Sequence, residues 1–205
     1  MILREAARFD LRALSVRKLA ARMRVSDAAI HYHFGSREGL MRALVDRITG
    51  DMRLPRRDRD WRRWLRRFAL EVRAALRAHP GAAEYLVTGG PTGPRQLEIV
   101  DTALEHLTSS GMNLERAWLT YAAIINHVIR STQAEERADL LAEAKQAPAE
   151  RIASEVRGYS KRPLTFAARV IEMDLQAQRE RMFMFGLDAL LHGAARTKAE
   201  TLSEP

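Results

Sequence analysis

The chain has 205 residues, of which 46% are hydrophobic and 29% charged, a balance typical of a folded protein and not of a disordered chain or a coiled-coil rod. It contains no cysteine, which excludes disulfide bonds and thiolate metal sites and favours a reducing compartment. No apolar run approaches the roughly 20 residues that span a bilayer, and no secretory signal is evident, so we expect a soluble, cytoplasmic protein with no membrane partner.

The formal net charge of +8 is concentrated in the first part of the chain. Residues 1–77 carry 20 of the 34 Lys and Arg residues and 9 of the 26 Asp and Glu residues, a net charge of +11. Localised positive charge favours a polyanionic partner. Within it, the arginine-rich stretch Arg53–Arg67 has two interpretations, a solvated helix face or an additional source of nonspecific attraction to DNA.

Apolar residues recur at helical spacing along the chain, and Val, Ile and Thr never alternate with polar residues over the length of a strand. Proline and glycine interrupt the pattern at a few places only. We therefore predict an all-α protein. The predicted helices span residues 2–8, 16–23, 27–33, 37–51, 59–78, 82–87, 95–109, 114–131, 135–157 and 167–193.

Three short predicted helices near the N-terminus each follow a serine, namely Ser15, Ser26 and Ser36. A serine at this position can accept a hydrogen bond from a backbone N–H that has no partner within the helix. Short, capped helices in series are typical of a helix-turn-helix, a DNA-binding motif. The apolar residues predicted to form its core are Leu19, Ala20, Met23, Val25, Ile30, Phe34 and Leu40.

The segment from Ser15 to Met41 resembles the signature of TetR-family transcriptional regulators. Ser15–Ala20 is similar to the brace helix of that signature, Val25–Phe34 to its recognition helix, and Ser36–Leu40 to the start of the next helix. The resemblance implies a homodimeric repressor that binds a palindromic DNA operator and is released from it by an unknown small molecule. It also implies a DNA-binding head over residues 1–52 and a helical body for ligand binding and dimerisation over residues 53–205.

The resemblance implies which residues contact double-stranded operator DNA. The start of the recognition helix would enter a groove, while its end and the flanking arginines would contact phosphates or base edges. The histidines and the tyrosine of this helix could equally be surface or packing residues. The implied DNA-binding set is Arg17, Ser26, Asp27, Ala28, Ala29, His31, Tyr32, His33 and Arg37.

Three features depart from the family pattern. Arg24 stands in the turn where the family has glycine, so we expect either strain or a modified turn. Asp27 brings negative charge towards DNA, and we expect it to cap its own helix. The segment before Ser15 is about five residues shorter than the family pattern, which implies a less stable head or a start that lies further upstream.

The body resembles the tetracycline-repressor type of C-terminal domain through Trp61–Trp64, His79–Ala82 and Gly111–Ala117. In that branch two helices of each subunit form a four-helix bundle in the dimer. The resemblance makes Trp118–Val128 and Met173–Leu191 the candidates here. The last helix supports this independently, because it has apolar residues on more than one face, enough for a core and a partner. An ordinary intrachain core is the alternative for that second face.

The resemblance further implies a ligand pocket enclosed by the body helices. The histidine that chelates magnesium-tetracycline in the family does not appear at the matching stretch, Tyr85–Thr88, so we expect an apolar or aromatic compound and not a metal chelate. No cofactor and no metal site is expected. The predicted ligand-binding residues are Trp64, Phe68, Tyr85, His106, Trp118, Tyr121, Asn126 and His127.

Two other classes of protein compete with this interpretation. An enzyme is disfavoured because the sequence shows no paired carboxylates, no metal-binding histidine spacing and no phosphate-binding loop. A dimeric small-molecule-binding or interaction protein that has lost specific DNA binding stays open as an alternative, because a short first helix would hold the recognition helix less rigidly.

Overall fold

The computed structural model describes residues 2–89, 93–143, 173 and 177–200, and every regular element in these ranges is an α-helix. The predicted all-α fold is confirmed. The helices are α1 (Ile2–Ala6), α2 (Val16–Met23), α3 (Asp27–Phe34), α4 (Arg37–Gly50), α5 (Trp61–Arg77), α6 (Ala82–Gly89), α7 (Pro94–Ser109), α8 (Leu114–Glu143) and α9 (Arg179–Glu200).

Helix α8 is continuous where the sequence predicted two helices, over residues 114–131 and 135–157. Thr132, next to the predicted break, is fully buried, and its hydroxyl donates to the Val128 carbonyl at 2.9 Å. This bond satisfies the hydroxyl within the helix, so the polar residue does not end it. The predicted break was therefore wrong, and residues 144–157 lie outside the described residues.

The last helix begins later than the predicted residue 167. Met173 lies in a bend, residues 177–178 form a turn, and α9 starts at Arg179. The second candidate helix of the dimer interface was predicted to begin at Met173. This prediction was wrong, because Met173 precedes α9. Residues 167–172 of that prediction lie outside the described residues.

The core of the helix-turn-helix forms largely as predicted. Leu19, Ala20, Ile30 and Leu40 are buried, and Met23 and Phe34 are partly buried against the same core. Val25 is the exception, with 42% of its surface exposed. The chain turns here through a backbone hydrogen bond from the Val25 N–H to the Ala20 carbonyl at 3.0 Å, and the Val25 side chain stays outside.

The body is organised around α5, which packs against α8 and α9. Arg73 of α5 is buried and donates to Glu135 of α8 and to Glu180 of α9, at 2.7 Å in both cases. Its guanidinium also lies 3.9 Å from the ring centroid of Phe183. A buried cation with two carboxylates and an aromatic face fixes these three helices relative to one another.

Helix α4 connects the head to the body. It packs against α1 and α3 in the head, and against α5, α6 and α7 in the body. Any tilt of the head relative to the body therefore changes the contacts of α4.

Candidate DNA interface and ligand cavity

Serine caps begin the three helices of the head that follow α1. The hydroxyl oxygens of Ser15, Ser26 and Ser36 accept hydrogen bonds from the backbone N–H groups of Lys18, Ala29 and Gly39, at 3.2, 3.2 and 3.1 Å respectively. The predicted caps are confirmed. Ser26 and not Asp27 caps α3, so the capping role expected for Asp27 was wrong; Asp27 occupies the first turn, where a carboxylate is favourable next to the helix N-terminus.

The turn between α2 and α3 is left-handed at Arg24, which has φ of +56° and ψ of +42°. Its backbone N–H points back to the carbonyls of Ala20 and Ala21 and ends α2. This is the backbone conformation for which the family uses glycine, so the turn keeps its geometry and Arg24 carries the strain.

The outer surface of α3 is available to a partner. Tyr32 is 88% exposed, and its ring lies edge-on to that of His33 with centroids 5.6 Å apart. The predicted DNA-binding residues are exposed except Ala29, which is partly buried. These exposed residues are Arg17, Ser26, Asp27, Ala28, His31, Tyr32, His33 and Arg37.

His31 and Arg37 also have polar contacts with the backbone of the head. The Nδ1 of His31 lies 3.3 Å from the Gly35 carbonyl at the end of α3, and the Nε–H of Arg37 donates to the Leu14 carbonyl at 3.3 Å. Arg37 thus joins the start of α4 to the loop before α2. Both contacts fix the side chains in position at the edge of the exposed surface.

The short α1 is supplemented by contacts with the body. The Leu11 N–H donates to the Pro80 carbonyl at 2.9 Å, and the Nδ1 of His79 donates to the Ala7 carbonyl at 3.1 Å. Leu11 and Leu14 are buried. The segment between α1 and α2 is therefore braced by the turn between α5 and α6.

A cavity of about 190 Å³ lies between the head helix α4 and the body. Four predicted ligand residues line it: Phe68, Trp118, Tyr121 and Asn126. None of the described residues that line it is charged. The sequence analysis missed the remaining lining residues, which are Thr49, Met52, Val72, Leu86, Gln96, Ile99, Ala122, Ile125 and Ile129.

The aromatic rings of the cavity form a continuous set. Phe68 and Tyr121 have centroids 6.1 Å apart, and Tyr121 and Trp118 are stacked at the same separation. Burial raises the pKa of Tyr121 to about 12, so its hydroxyl stays protonated at neutral pH. The cavity therefore offers flat apolar surfaces with neutral polar groups on Thr49, Gln96, Tyr121 and Asn126.

Two of the four other predicted ligand residues stack on each other behind the cavity wall. Trp64 is stacked between Phe68 and His106, with centroid separations of 5.2 and 4.5 Å, and its Nε1–H donates to the Pro55 carbonyl at 3.2 Å. Burial, and secondarily the charge of Arg57, lowers the pKa of His106. Both side chains support the cavity from outside.

The remaining two predicted ligand residues contact other parts of the body. The Nε2 of His127 donates to the Phe183 carbonyl of α9 at 2.9 Å, and the two rings are stacked. Tyr85 is partly buried against the core on α6 and does not line the cavity.

The comparisons with known proteins decide the family. The family model for "Bacterial regulatory proteins, tetR family" matches residues 2–44, and the model for "Tetracyclin repressor-like, C-terminal domain" matches residues 54–197. The chain belongs to the TetR family.

This chain is similar to individual TetR-family proteins over most of its length. The class G tetracycline repressor of Vibrio anguillarum is 27% identical over 195 residues, which cover 93% of this chain and 88% of that protein. ActR of Streptomyces coelicolor, solved with actinorhodin, has a TM-score of 0.77 at 18% identity, with 96% and 95% of the chains covered. A TetR variant from Acinetobacter baumannii AYE, solved with minocycline, has a TM-score of 0.71 at 22% identity over the same shares.

As a TetR-family member the protein is a ligand-responsive, DNA-binding repressor and not an enzyme. Regulators of this family bind operator DNA and small-molecule effectors and form dimers. In the part of the chain that the structure describes, no helix could cross a membrane. The same residues include no group of three or more His, Asp or Glu side chains that could hold a metal ion.

An exposed apolar surface lies on α8 and α9. Phe185 is 78% and Leu119 59% exposed, and Met182 is exposed as well. The opposite side of α9 carries Phe183 and Leu187, which are buried in the core. The predicted division of the last helix into a core face and a second apolar face is confirmed. The groove between the two helices is lined by Arg116, Leu119, Thr120, Ala123, Ala189, Leu190, Gly193 and Ala194.

Proposed function

We propose that the protein is a homodimer that binds a palindromic operator through α3 and is released when an uncharged, largely aromatic molecule enters the cavity. The observation that carries this proposal is that the end of α4 forms part of the cavity wall. Thr49 in the last turn of α4 and Met52 just beyond it line the cavity. The same helix begins at Arg37, and only Gly35 and Ser36 separate it from the end of α3 at Phe34. A ligand in the cavity therefore contacts the helix that directly follows α3, the helix proposed to read DNA.

The proposed DNA contacts follow the exposed surface of the head. Ala28 and Ala29 at the start of α3 are small enough to allow close approach to a groove, and Tyr32 and His33 project from its end. Arg17 and Arg37 supply positive charge on either side. Ser26 keeps its cap and orients α3, and Asp27 and His31 complete the proposed interface.

The proposed dimer interface is the exposed face of α8 and α9. An apolar face of this kind is stable when it packs against its symmetry copy, because each subunit then buries the other's side chains. Two heads in a symmetric dimer read two half-sites of opposite direction, which is why we infer a palindromic operator. We also retain the division into a head over residues 1–52 and a body over residues 53–205. We infer that the protein acts in the cytoplasm, where the chromosome lies.

The chemistry of the cavity supports the ligand class. Its described lining has no charged side chain to pair with an ionised ligand, while Phe68, Trp118 and Tyr121 offer rings for stacking. The structurally similar ActR and the TetR variant from Acinetobacter baumannii AYE were solved in complex with actinorhodin and minocycline, respectively. A flat, uncharged molecule with one or two polar groups facing Gln96 or Asn126 is the expected effector.

Fluorescence anisotropy with DNA from the region upstream of its own gene tests the proposal. Wild-type protein should prefer this DNA to a shuffled control by about a thousandfold, with an affinity that falls steeply with salt. Tyr32→Ala should weaken specific binding and leave the fold intact, because the side chain is almost fully exposed. Equal binding to both DNAs, or none, would instead favour a ligand-binding protein that has lost specific DNA recognition.

A further inference from the structure

A carboxylate from α4 caps a helix of the body. Asp46 is buried, and its Oδ1 accepts a hydrogen bond from the backbone N–H of Gln96 at 3.0 Å. That N–H belongs to the first turn of α7, where backbone donors have no partner within the helix. The side chain of Gln96 in turn accepts a hydrogen bond from the Gly93 N–H at 3.1 Å. The N-terminus of α7 is thus held partly by α7 itself and partly by the head helix.

Two glycines allow α4 and α7 to interlock at this point. A Cβ added at Gly93 would overlap the carboxylate of Asp46, and one added at Gly50 would overlap the side chain of Arg95. Each helix therefore places a side chain into the space that a glycine leaves on the other. The two helices cannot shift along each other unless the bond from Gln96 to Asp46 breaks or both helices move together.

The contact of Asp46 with the first turn of α7 forms a joint between α4 and α7, and this joint is part of the cavity wall. Gln96 and Ile99 of the first two turns of α7 line the cavity, and so do Thr49 and Met52 at the end of α4. A molecule that fills the cavity presses on both sides of the joint. No other described contact combines a buried carboxylate, a helix N-terminus and the cavity lining.

We propose that Asp46 is the positioning residue that transmits occupancy of the cavity to the DNA-reading surface, an inference that rests on the proposed function. Displacement of the first turn of α7 by a ligand moves the amide that Asp46 holds, and the negative charge at the helix N-terminus makes α4 follow it. Helix α4 is 14 residues long, or about 21 Å, so a small tilt at Asp46 becomes a larger shift at Arg37 and α3.

Two variants separate this role from a general effect on the fold. Asp46→Asn keeps the size of the side chain and an oxygen that can accept from Gln96, and it removes the charge that strengthens this hydrogen bond. Asp51→Asn is the matched control, because Asp51 follows the same helix, is exposed and pairs only with Arg47 among the described ion pairs. The first measurement is hydrogen exchange in the full-length protein without ligand. Asp46→Asn should speed exchange at the Gln96 amide about tenfold or more, and Asp51→Asn should leave it unchanged.

The second measurement is the coupling between cavity and DNA, with N-phenylnaphthylamine as an uncharged aromatic probe. For each protein we compare the DNA dissociation constant with and without saturating probe. Wild type and Asp51→Asn should show the same ratio, about tenfold or more, and Asp46→Asn should reduce it to less than about threefold while binding probe as tightly.

The outcomes distinguish the two proposals. Unchanged exchange at Gln96 in Asp46→Asn, or an unchanged coupling ratio, overturns the role of Asp46 and leaves the proposed function standing. Wild-type protein that reads no operator, or whose operator binding ignores the probe, contradicts the proposed function, and the regulatory role of Asp46 then fails with it. Faster exchange together with a reduced ratio supports the inference.

Discussion

Arg24 holds a left-handed backbone conformation in the turn of the helix-turn-helix, and its side chain costs about 1 kcal/mol there relative to glycine. Arg24→Gly should therefore raise the free energy of unfolding by about 0.5–1 kcal/mol, the gain being reduced by the greater entropy of glycine in the unfolded chain. Urea denaturation at fixed protein concentration measures the change. Ala21→Gly, in the last turn and a half of α2, is the control and should destabilise by a similar amount. Two changes of the same sign would contradict the prediction.

His106 makes stability depend on pH, because burial lowers its pKa below the ordinary value of 6.5. The folded state binds fewer protons than the unfolded state just below pH 6.5, so the free energy of unfolding should fall as pH drops from 6.5 through the lowered pKa. His106→Phe keeps a ring stacked on Trp64 and should remove this part of the pH dependence. The exposed His33→Phe is the control. Parallel pH curves for wild type and His106→Phe would refute the assignment.

The residues that the sequence predicted correctly are those whose role is local. A serine cap depends on three or four neighbouring residues, so Ser15, Ser26 and Ser36 were identified from their positions alone. Trp64 and His106 were placed in the pocket because they are aromatic or polar within a body helix. Their actual positions behind its wall depend on which way each helix is rotated in the tertiary structure, and residue type does not contain that information.

At the scale of elements, the turn between α5 and α6 fits tightly against the head at Gly81. Its φ is +92°, and an added Cβ would lie 2.8 Å from the backbone nitrogen of Arg12. Gly81→Ala should therefore destabilise the protein by about 2 kcal/mol or more. Gly35→Ala, with φ of +71° and no atom within 4 Å of the added Cβ, isolates the backbone cost and should lose about 1 kcal/mol. Equal losses in the two variants would show that the close approach is unimportant.

Element boundaries were predicted well where a cap or a proline marks them. Pro94 begins α7 and Asp60 caps α5, each within two residues of the predicted start. The predicted break in α8 was wrong because Thr132 satisfies its hydroxyl on its own helix. The cavity lining from α4 was missed for a different reason: a single sequence does not show that the end of the head helix passes under α7.

In the whole molecule, two hydrogen-bonded contacts that lie far apart in the chain add to the packing of α4 and hold the head on the body. One is the joint of Asp46 with α7, and the other is the contact of Leu11 with Pro80. The turn between α5 and α6 that contains Pro80 also contacts α8, because the Gly81 N–H donates to the Glu136 carboxyl at 3.1 Å. Burial raises the pKa of this carboxyl. Helix α8 lines the cavity and provides much of the proposed dimer face. Ligand, dimer partner and head are therefore connected through the same few helices.

The proposed dimer gives the last prediction. Phe185 is 78% exposed on α9 and lies on the face that we assign to the second subunit. Phe185→Arg should weaken self-association by about 2 kcal/mol or more, a factor of about thirty, because an aromatic residue in such a face is replaced by a charge that must lose its hydration. Sedimentation velocity over a range of concentrations measures it. Leu97→Arg, an exposed position on α7 outside this face, should leave the dimer intact. Because two heads read a palindrome together, Phe185→Arg should also bind the operator less tightly at concentrations where the variant is monomeric. If the dimer persists in this variant, the subunits meet at another surface.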